Sequence, residues 1–279
     1  IMSQVENYIV NGTTLDNDKY SLLSVTKNHG NLKGANVIPA FDHGTKWRRK
    51  YMGEYIEGWV VYVYNNLTTT GLPPDTAEKQ RAALNANFEE IMTILQTNHA
   101  ASGYDAPLQV VRKMKSNSSS PTDIYRVNYG EMLGPVPIVR EEGSDCYIFE
   151  ANIVYSDPRW YESNSSGVKT ASTLTASGNP GGTALMTRMT ITLTDDDTSN
   201  PFIQNTTTGS KITWSGGNPS GNIVIDTYNY TATIGGTSVV GNIDRTGSTT
   251  TSWFELQPGV TNTLTSNVPF SISYTKAFL

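Results

Sequence analysis

From residue 163 onward, the sequence is a succession of short β-type runs separated by Gly, Ser, Thr and Asn. Short strands at such intervals, with turn residues between them, are typical of a β-sandwich. The same half holds only 5 basic and 6 acidic residues, so we predict an all-β domain there. The predicted strands cover 189–194, 211–215, 222–228, 230–234, 253–259 and 270–275.

The pair Gly235-Gly236 stands between two of these runs. Two-residue hairpin loops need positive φ at both positions, which glycine adopts without steric cost. We therefore predict a tight β-hairpin at this point.

The earlier part of the chain mixes strands with one helix. Apolar residues recur at helical spacing between Leu84 and Leu95, behind Pro73-Pro74-Asp75. The pattern predicts a helix over 76–96, capped by Asp75 and supported by Glu78 in a capping-box arrangement. Strands are predicted around it at 55–64, 108–115, 123–132 and 146–155.

The polar, Gly- and Ser-rich stretch from Glu162 to Gly182 separates the two parts. Its composition is typical of a domain linker. We therefore expect two domains, 1–162 and 163–279, with the last strand able to return to the first domain. The fold class is mainly β with one N-terminal-domain helix (α+β).

Composition excludes several function classes. The formal net charge of −5 provides no basic field for sequence-specific nucleic-acid binding. Cys146 is the only cysteine, so no disulfide framework is expected, and the three histidines lack ligand spacing. The start of the chain lacks a signal-peptide pattern, and no apolar run is long enough to span a bilayer. We expect no metal, no cofactor and no membrane insertion.

Carboxylates gather at two places, but neither forms an enzyme motif. Asp195-Asp196-Asp197 could offer oxygen ligands to Ca²⁺, although a charge run of this kind is usually a solvated loop. Asp226 ends the run GNIVID and could be a catalytic acid, a metal ligand or a strand-ending residue. No phosphate loop, nucleophile elbow or zinc-protease motif is present, so we expect no enzyme activity.

Two sets of residues are candidates for binding. Lys46, Trp47, Arg48, Arg49 and Lys50 form the densest basic cluster, and their mixture of Arg and Trp suits a protein–protein contact. An exposed strand or loop, or a nucleic-acid contact, is the alternative. Trp214 and Trp253 are candidate glycan contacts if exposed, whereas core packing is the usual role of such residues.

Read as a whole, the second half resembles the galectin-like domain of siphophage distal tail proteins. The resemblance is carried in order by NPFIQNTTTGSKITW, GNIVIDT and SWFELQPGVTNTLT. The first half agrees through RRKYMGEYIEGWV, the long connection with the helix, and YIFEANIVYSDPRWY. In this family pattern the position of Asp226 ends a strand without chemistry attached.

The resemblance implies a tail-tube-like β-barrel or β-sandwich domain followed by a galectin-like β-sandwich. It implies a structural component of a long non-contractile phage tail tip, made in the host cytoplasm. Six copies would form a ring that joins the tail-tube protein to the tail-tip hub protein and lets DNA pass. The alternative function is a carbohydrate-binding module or a fibre-docking minor tail protein that contacts fibres or host glycans.

Overall fold

The computed structural model describes residues 6–28, 32–33, 51–52, 55–67, 71–96, 107–116, 119–133, 138–142, 146–164, 167–168, 172–194, 197–250 and 253–278. The chain divides into two compact units. The first holds Ile1–Pro158 and Ser163–Gly167, and the second holds Arg159–Glu162 and Val168–Leu279. The predicted boundary after residue 162 stays a prediction, because the two units exchange short segments near it.

The first unit is built on one large antiparallel sheet and one helix. Seven strands follow one another in the order β2-β1-β7-β8-β10-β6-β3, with β9 beside β10, and β4 and β5 form a separate pair. The elements are β1 (Glu6–Val10), β2 (Thr13–Thr14), β3 (Tyr20–Asn28), β4 (Leu32–Lys33), β5 (Tyr51–Met52), β6 (Tyr55–Tyr64), α1 (Ala77–Gln96), β7 (Leu108–Lys115), β8 (Asp123–Leu133), β9 (Ile138–Glu142) and β10 (Cys146–Tyr155).

Strand β6 shows why this sheet has one buried face. Its residues alternate between buried and half-buried along all ten positions, as expected when successive side chains point to opposite faces. Val61 and Val63 lie on the buried face, which α1 contacts together with β10. The helix supplies Leu84, Ile91 and Leu95 to this core, all of them buried. Burial of the apolar stripe is what holds the helix on the sheet.

The helix starts where the sequence predicts, but a different residue caps it. The Lys79 backbone N–H donates to Thr76 Oγ1 at 3.4 Å, so Thr76 occupies the N-cap position. Asp75 was expected in that role and instead pairs with Lys79 Nζ at 2.9 Å on the surface. The prediction for Asp75 is wrong because Thr76, one residue closer, places its hydroxyl within reach of the third helical N–H.

The strands β7 and β8 form a long hairpin. Their register runs from Leu108↔Gly130 to Lys115↔Asp123, and the Ser116 N–H closes the hairpin on the Thr122 carbonyl at 2.8 Å. Within the described residues the sheet runs from β2 to β3 without closing into a barrel. The expected class, mainly β with one helix in the first part of the chain, is confirmed.

The second unit consists of two antiparallel sheets. One has the order β13-β23-β15-β18-β19-β20 and the other β14-β22-β16-β17-β21. The strands of these two sheets are β13 (Ser172–Leu174), β14 (Ser177–Gly178), β15 (Met189–Leu193), β16 (Phe202–Asn205), β17 (Ser210–Trp214), β18 (Ile223–Asp226), β19 (Thr231–Ile234), β20 (Thr237–Ser238), β21 (Ile243–Asp244), β22 (Asn262–Ser266) and β23 (Phe270–Tyr274), with a 3₁₀ turn at Val240–Asn242. Three further short strands, β11 (Trp160–Asn164), β12 (Gly167–Val168) and β24 (Ala277–Phe278), lie outside both sheets, and β11 pairs with β24.

The predicted glycine hairpin is confirmed. Gly235 and Gly236 have φ values of +55° and +83°, and they connect Ile234 to Thr237 as a two-residue loop. Positive φ at both positions is the signature of a primed turn, which follows the twist of the flanking strands.

One predicted strand is wrong. The segment 253–259 forms no strand, apart from a single bridge between Leu256 and Met186. Asn262 folds the chain back, because its Oδ1 accepts from the Gln257 N–H at 2.8 Å and its Nδ2 donates to the Gln257 carbonyl at 2.8 Å. Phe254 and Leu256 are fully buried, so the apolar pattern that suggested a strand reflects core packing instead.

Among the described residues, no helix is long and apolar enough to cross a membrane.

Limited proteolysis tests how the two units are joined. Ser172–Leu174 and Ser177–Gly178 already pair with β23 and β22, and paired backbone resists cleavage. We therefore expect the first cuts of the Glu162–Gly182 stretch to fall before Ser172, which mass spectrometry of the fragments will locate. First stable fragments that end between 108 and 155 would contradict the two-domain division.

Candidate functional site

The first unit contains a buried cluster of ionisable side chains around Glu57. We call Glu57, Arg112, Tyr8, Tyr55, Trp59 and Tyr155 the Glu57 cluster. The Glu57 carboxylate is fully buried and accepts hydrogen bonds from every other member. Tyr55 donates at 2.8 Å, Trp59 Nε1 and Tyr155 each at 3.0 Å, Tyr8 at 3.5 Å, and Arg112 Nη2 forms the ion pair.

Charge compensation explains how these groups remain buried. Burial disfavours the charged guanidinium of Arg112, but attraction to Glu57 and to Tyr8 and Tyr55 outweighs this effect and raises the pKa of Arg112. The guanidinium also donates to the Tyr55 hydroxyl at 2.9 Å. A buried ion is tolerated when its counter-ion is in place, and here Glu57 pairs with Nη2 of Arg112.

Two tyrosines of the cluster, Tyr55 and Tyr155, stay protonated. Burial, followed by the neighbouring Glu57 charge, raises the pKa of both Tyr55 and Tyr155. Protonated hydroxyls can donate to the carboxylate, as those of Tyr55 and Tyr155 do. The Glu57 cluster therefore has a structural role, in which it holds its strands together, and not an acid–base role.

Sequence reasoning did not single out Glu57, although a signal exists. In the alternating strand Tyr55–Tyr64, position 57 shares a face with Trp59, Val61 and Val63. A carboxylate on an otherwise aromatic and aliphatic face must find buried donors. Tyr8, Arg112 and Tyr155 come from distant segments, so the sequence indicates the need for a partner but does not identify these three.

In the second unit, Asp226 caps the loop between β18 and β19. Its Oδ1 accepts from the backbone N–H groups of Tyr228 at 2.9 Å and Asn229 at 3.0 Å. Its Oδ2 accepts from Asn229 Nδ2 at 2.7 Å. These bonds form an Asx-type turn, which confirms the structural role expected for Asp226.

The loop Thr227–Tyr230 is anchored at its base by Thr227. This side chain is buried, and its hydroxyl donates to the carbonyl of Thr187 at 2.6 Å. The Thr227 N–H and the Met189 carbonyl are joined at 3.0 Å. The base of the loop is thereby fixed to the start of β15.

Beyond this base, the loop exposes two tyrosines. Tyr228 is 50% exposed, and its ring lies against the guanidinium of Arg188 with 4.0 Å from Cζ to the ring centroid. The opposite face of the same guanidinium lies 4.0 Å from the Tyr161 ring centroid. This stack of Tyr161, Arg188 and Tyr228 holds the Tyr228 ring in a fixed orientation.

The second tyrosine of the loop pairs with a tryptophan. Tyr230 is 58% exposed, and its ring meets the half-buried Trp253 edge to face, with centroids 5.5 Å apart. Tyr230 has a φ of +56°, a conformation that residues other than glycine rarely adopt. We call Tyr228, Tyr230 and Trp253 the aromatic patch.

Trp214, the other tryptophan considered from the sequence, lies inside the second unit. It is only 4% exposed, and a Cβ atom on Gly216 would stand 2.4 Å from its ring. The absence of a side chain at Gly216 therefore lets the chain pass directly over the indole. Glycan contact by Trp214 or Trp253 stays a prediction, and the two residues differ in that only Trp253 reaches the surface.

Other residues singled out from the sequence lie outside the described residues. These are Lys46, Trp47, Arg48, Arg49 and Lys50, the three histidines, and Asp195 and Asp196. Within the described ranges, no group of three or more His, Cys, Asp or Glu side chains is placed to hold a metal ion.

Removing the central charge tests the Glu57 cluster. Glu57→Gln leaves Arg112 buried without a counter-ion, so we expect a loss of about 3–5 kcal/mol in the free energy of unfolding. Urea denaturation followed by circular dichroism measures it. Glu150→Gln, at an exposed position of β10, is the matched control and should change stability by less than about 0.5 kcal/mol. Similar losses in both variants would contradict the structural role of Glu57.

The two tryptophans should respond differently to truncation. Trp214→Ala removes a buried ring and should cost about 3–5 kcal/mol, or prevent folding of the second unit. Trp253→Ala should cost less, about 1 kcal/mol, because its ring is only partly buried. Thermal unfolding of both variants makes the comparison. A larger loss for Trp253→Ala would place that residue in the core.

Comparison with known proteins agrees with the fold described above. Residues 181–278 match the siphovirus-type tail component, C-terminal domain family. No curated protein matches the chain significantly. The crystal structure of the Dit protein of phage SPP1, described as a paradigm of hub adsorption apparatus in phages that infect Gram-positive hosts, superposes with a TM-score of 0.63 and 16% identity. The alignment covers 99% of this chain and 100% of that one.

A chain of the phage P2 baseplate, in its activated conformation with Ca, also aligns over 98% of both chains, with a TM-score of 0.42 and 10% identity. The family match covers the second unit, and the SPP1 Dit fold extends over both units. The resemblance seen in the sequence is therefore confirmed: residues 181–278 match the C-terminal domain of siphovirus-type tail components, and the fold of the chain is similar to that of SPP1 Dit.

Proposed function

We propose that this protein is a structural component of a long non-contractile phage tail tip, where six copies form a ring between the tail-tube protein and the tail-tip hub protein. The observation that carries the proposal is the family match at 181–278 within a chain whose whole fold resembles SPP1 Dit. The protein would be made in the host cytoplasm and act in the virion.

Ring closure suits a subunit with one large sheet. Identical subunits that meet through one head-to-tail contact close into a ring, and the centre of the ring can form a passage. Each copy adds a formal charge of −5. An acidic or neutral polar passage favours sliding of DNA, because phosphates that meet Lys and Arg release counterions and bind. We therefore propose that the passage is lined by Asp, Glu and neutral polar residues.

The role is structural and not enzymatic. The most buried carboxylate of the described residues, Glu57, is saturated by donors, and Asp226 caps a turn. Contacts with other proteins would then carry the function. Fibres or host glycans are the further partners that the second unit would meet.

Reversing charge in the cluster Lys46–Trp47–Arg48–Arg49–Lys50 tests the proposed interface. We expect the double variant Arg48→Glu with Arg49→Glu to fold but to form no rings, since Arg and Trp are favoured at protein contacts. Negative-stain microscopy and light scattering measure ring formation, and tail assembly in infected cells measures joining.

The matched control is Lys79→Glu with Arg81→Glu, which reverses the same charge on an exposed surface of α1. It should form normal rings. Normal rings and tails from the Arg48 and Arg49 variant would remove the cluster from the interface. Monodisperse monomers from the wild-type chain under all conditions would contradict the ring itself.

A further inference from the structure

We propose that the aromatic patch of Tyr228, Tyr230 and Trp253 is a binding site for a neutral pyranose sugar. A pyranose presents C–H groups on its faces and hydroxyls around its edge. An aromatic ring can stack against such a face, while nearby polar groups bind the hydroxyls. The patch combines both features on one short loop and the segment beside it.

Each of the two exposed rings has its own support, and both supports lie close in sequence to one backbone bridge. Met186 and Leu256 form an antiparallel bridge. Arg188 follows Met186 by two residues, and Trp253 precedes Leu256 by three, so both leave the bridge on the same side. Arg188 supports Tyr228, and Trp253 supports Tyr230. The loop therefore presents two exposed rings, two residues apart in sequence, each supported by its own contact.

The patch also has unused hydrogen-bonding groups. In the described part of the chain, no hydrogen bond involves the hydroxyls of Tyr228 and Tyr230 or the indole N–H of Trp253. The Asn229 side chain uses its Nδ2 on Asp226, which leaves its carbonyl oxygen to accept. Donors and an acceptor beside exposed rings are what a polyhydroxylated ligand requires.

The size of the patch favours a sugar over a protein. A whole aromatic side chain offers about 150–250 Å². Two half-exposed tyrosines and a half-buried tryptophan therefore present on the order of 300 Å². A stable protein interface needs about 800 Å² from each partner, whereas a mono- or disaccharide fits the smaller area.

The charges of the site indicate a neutral ligand. Arg188 carries one positive charge and Asp226 one negative charge, and both are engaged within the protein, by ring stacking and by turn N–H groups. No excess charge is left to select an acidic or basic ligand. Binding should then depend little on ionic strength, because screening acts on unpaired charges.

The conformation of Tyr230 makes a clean test possible. Its φ of +56° is favourable for glycine and unfavourable for tyrosine. Tyr230→Gly should therefore fold at least as well at this position while it removes the ring. Tyr228→Ala independently removes the other exposed ring of the loop, while Arg188 keeps its contact with Tyr161. Leu72→Ala, an exposed apolar position of the first unit, is the control.

The experiment is saturation-transfer NMR of the full chain with cellobiose and lactose, followed by titration. We expect weak binding by the wild-type chain and by Leu72→Ala, unchanged between low and high salt. Tyr230→Gly and Tyr228→Ala should each weaken binding roughly tenfold, as when stacking rings are removed from nucleic-acid sites. Thermal unfolding checks that each variant is folded.

Each other outcome overturns the proposal. Absence of wild-type binding to either sugar removes the sugar site, and equal binding by Tyr230→Gly places the site elsewhere. If Tyr230→Gly impairs attachment of other tail proteins while no sugar binds, the patch is a protein contact. Ring formation is scored separately, because the patch lies in the second unit and its binding does not require ring assembly.

Discussion

The buried ion pair between Glu57 and Arg112 connects two strands of the first unit that are not hydrogen-bonded neighbours in the sheet. It joins β6 to β7, and the tyrosines that complete it come from β1, β6 and β10. A slip of one residue in β6 would turn Glu57 to the opposite face, away from every donor. A buried carboxylate without donors is far more costly than a misplaced apolar side chain, so the cluster penalises wrong registers more strongly than aliphatic packing does.

In the second unit, hydrogen bonds of uncharged side chains define the structure. Asn205 donates to the Glu255 carbonyl at 2.8 Å and to Asn262 Oδ1 at 2.9 Å, and both asparagines are fully buried. Asn262 also binds the backbone of Gln257, so one short chain of amides connects β16, β22 and the irregular segment between β21 and β22. The apolar runs alone would leave this segment free to become a strand. The amides fix its path and place Trp253 beside the loop Thr227–Tyr230.

The local sequence pattern predicted part of this fold accurately. Strands at 55–64, 108–115 and 146–155 have the predicted bounds because their alternation is regular. Strand β3 was not predicted, and its register shifts between Leu22 and Ser24, which leaves Leu23 exposed and interrupts the alternation. Three partners of Glu57, namely Tyr8, Arg112 and Tyr155, are 49, 55 and 98 residues away, and the exposure of Tyr228 and Tyr230 depends on the packing of Arg188 and Trp253. Such contacts are properties of the folded chain, and no local pattern predicts them.

The backbone conformation of Tyr230 bears directly on how its exposed ring can take part in binding. A tyrosine at positive φ costs on the order of 1 kcal/mol relative to glycine, and the Gly235-Gly236 turn at the other end of the same hairpin strand shows glycine at two such positions. Tyr230 recovers part of this cost through its edge contact with Trp253. The contact leaves most of the tyrosine ring in solvent, so packing alone does not account for an aromatic residue there. What the strained conformation provides is a fixed, outward-facing ring on a loop whose base is held by Asp226 and Thr227, and pre-orientation of this kind lowers the entropic cost of binding.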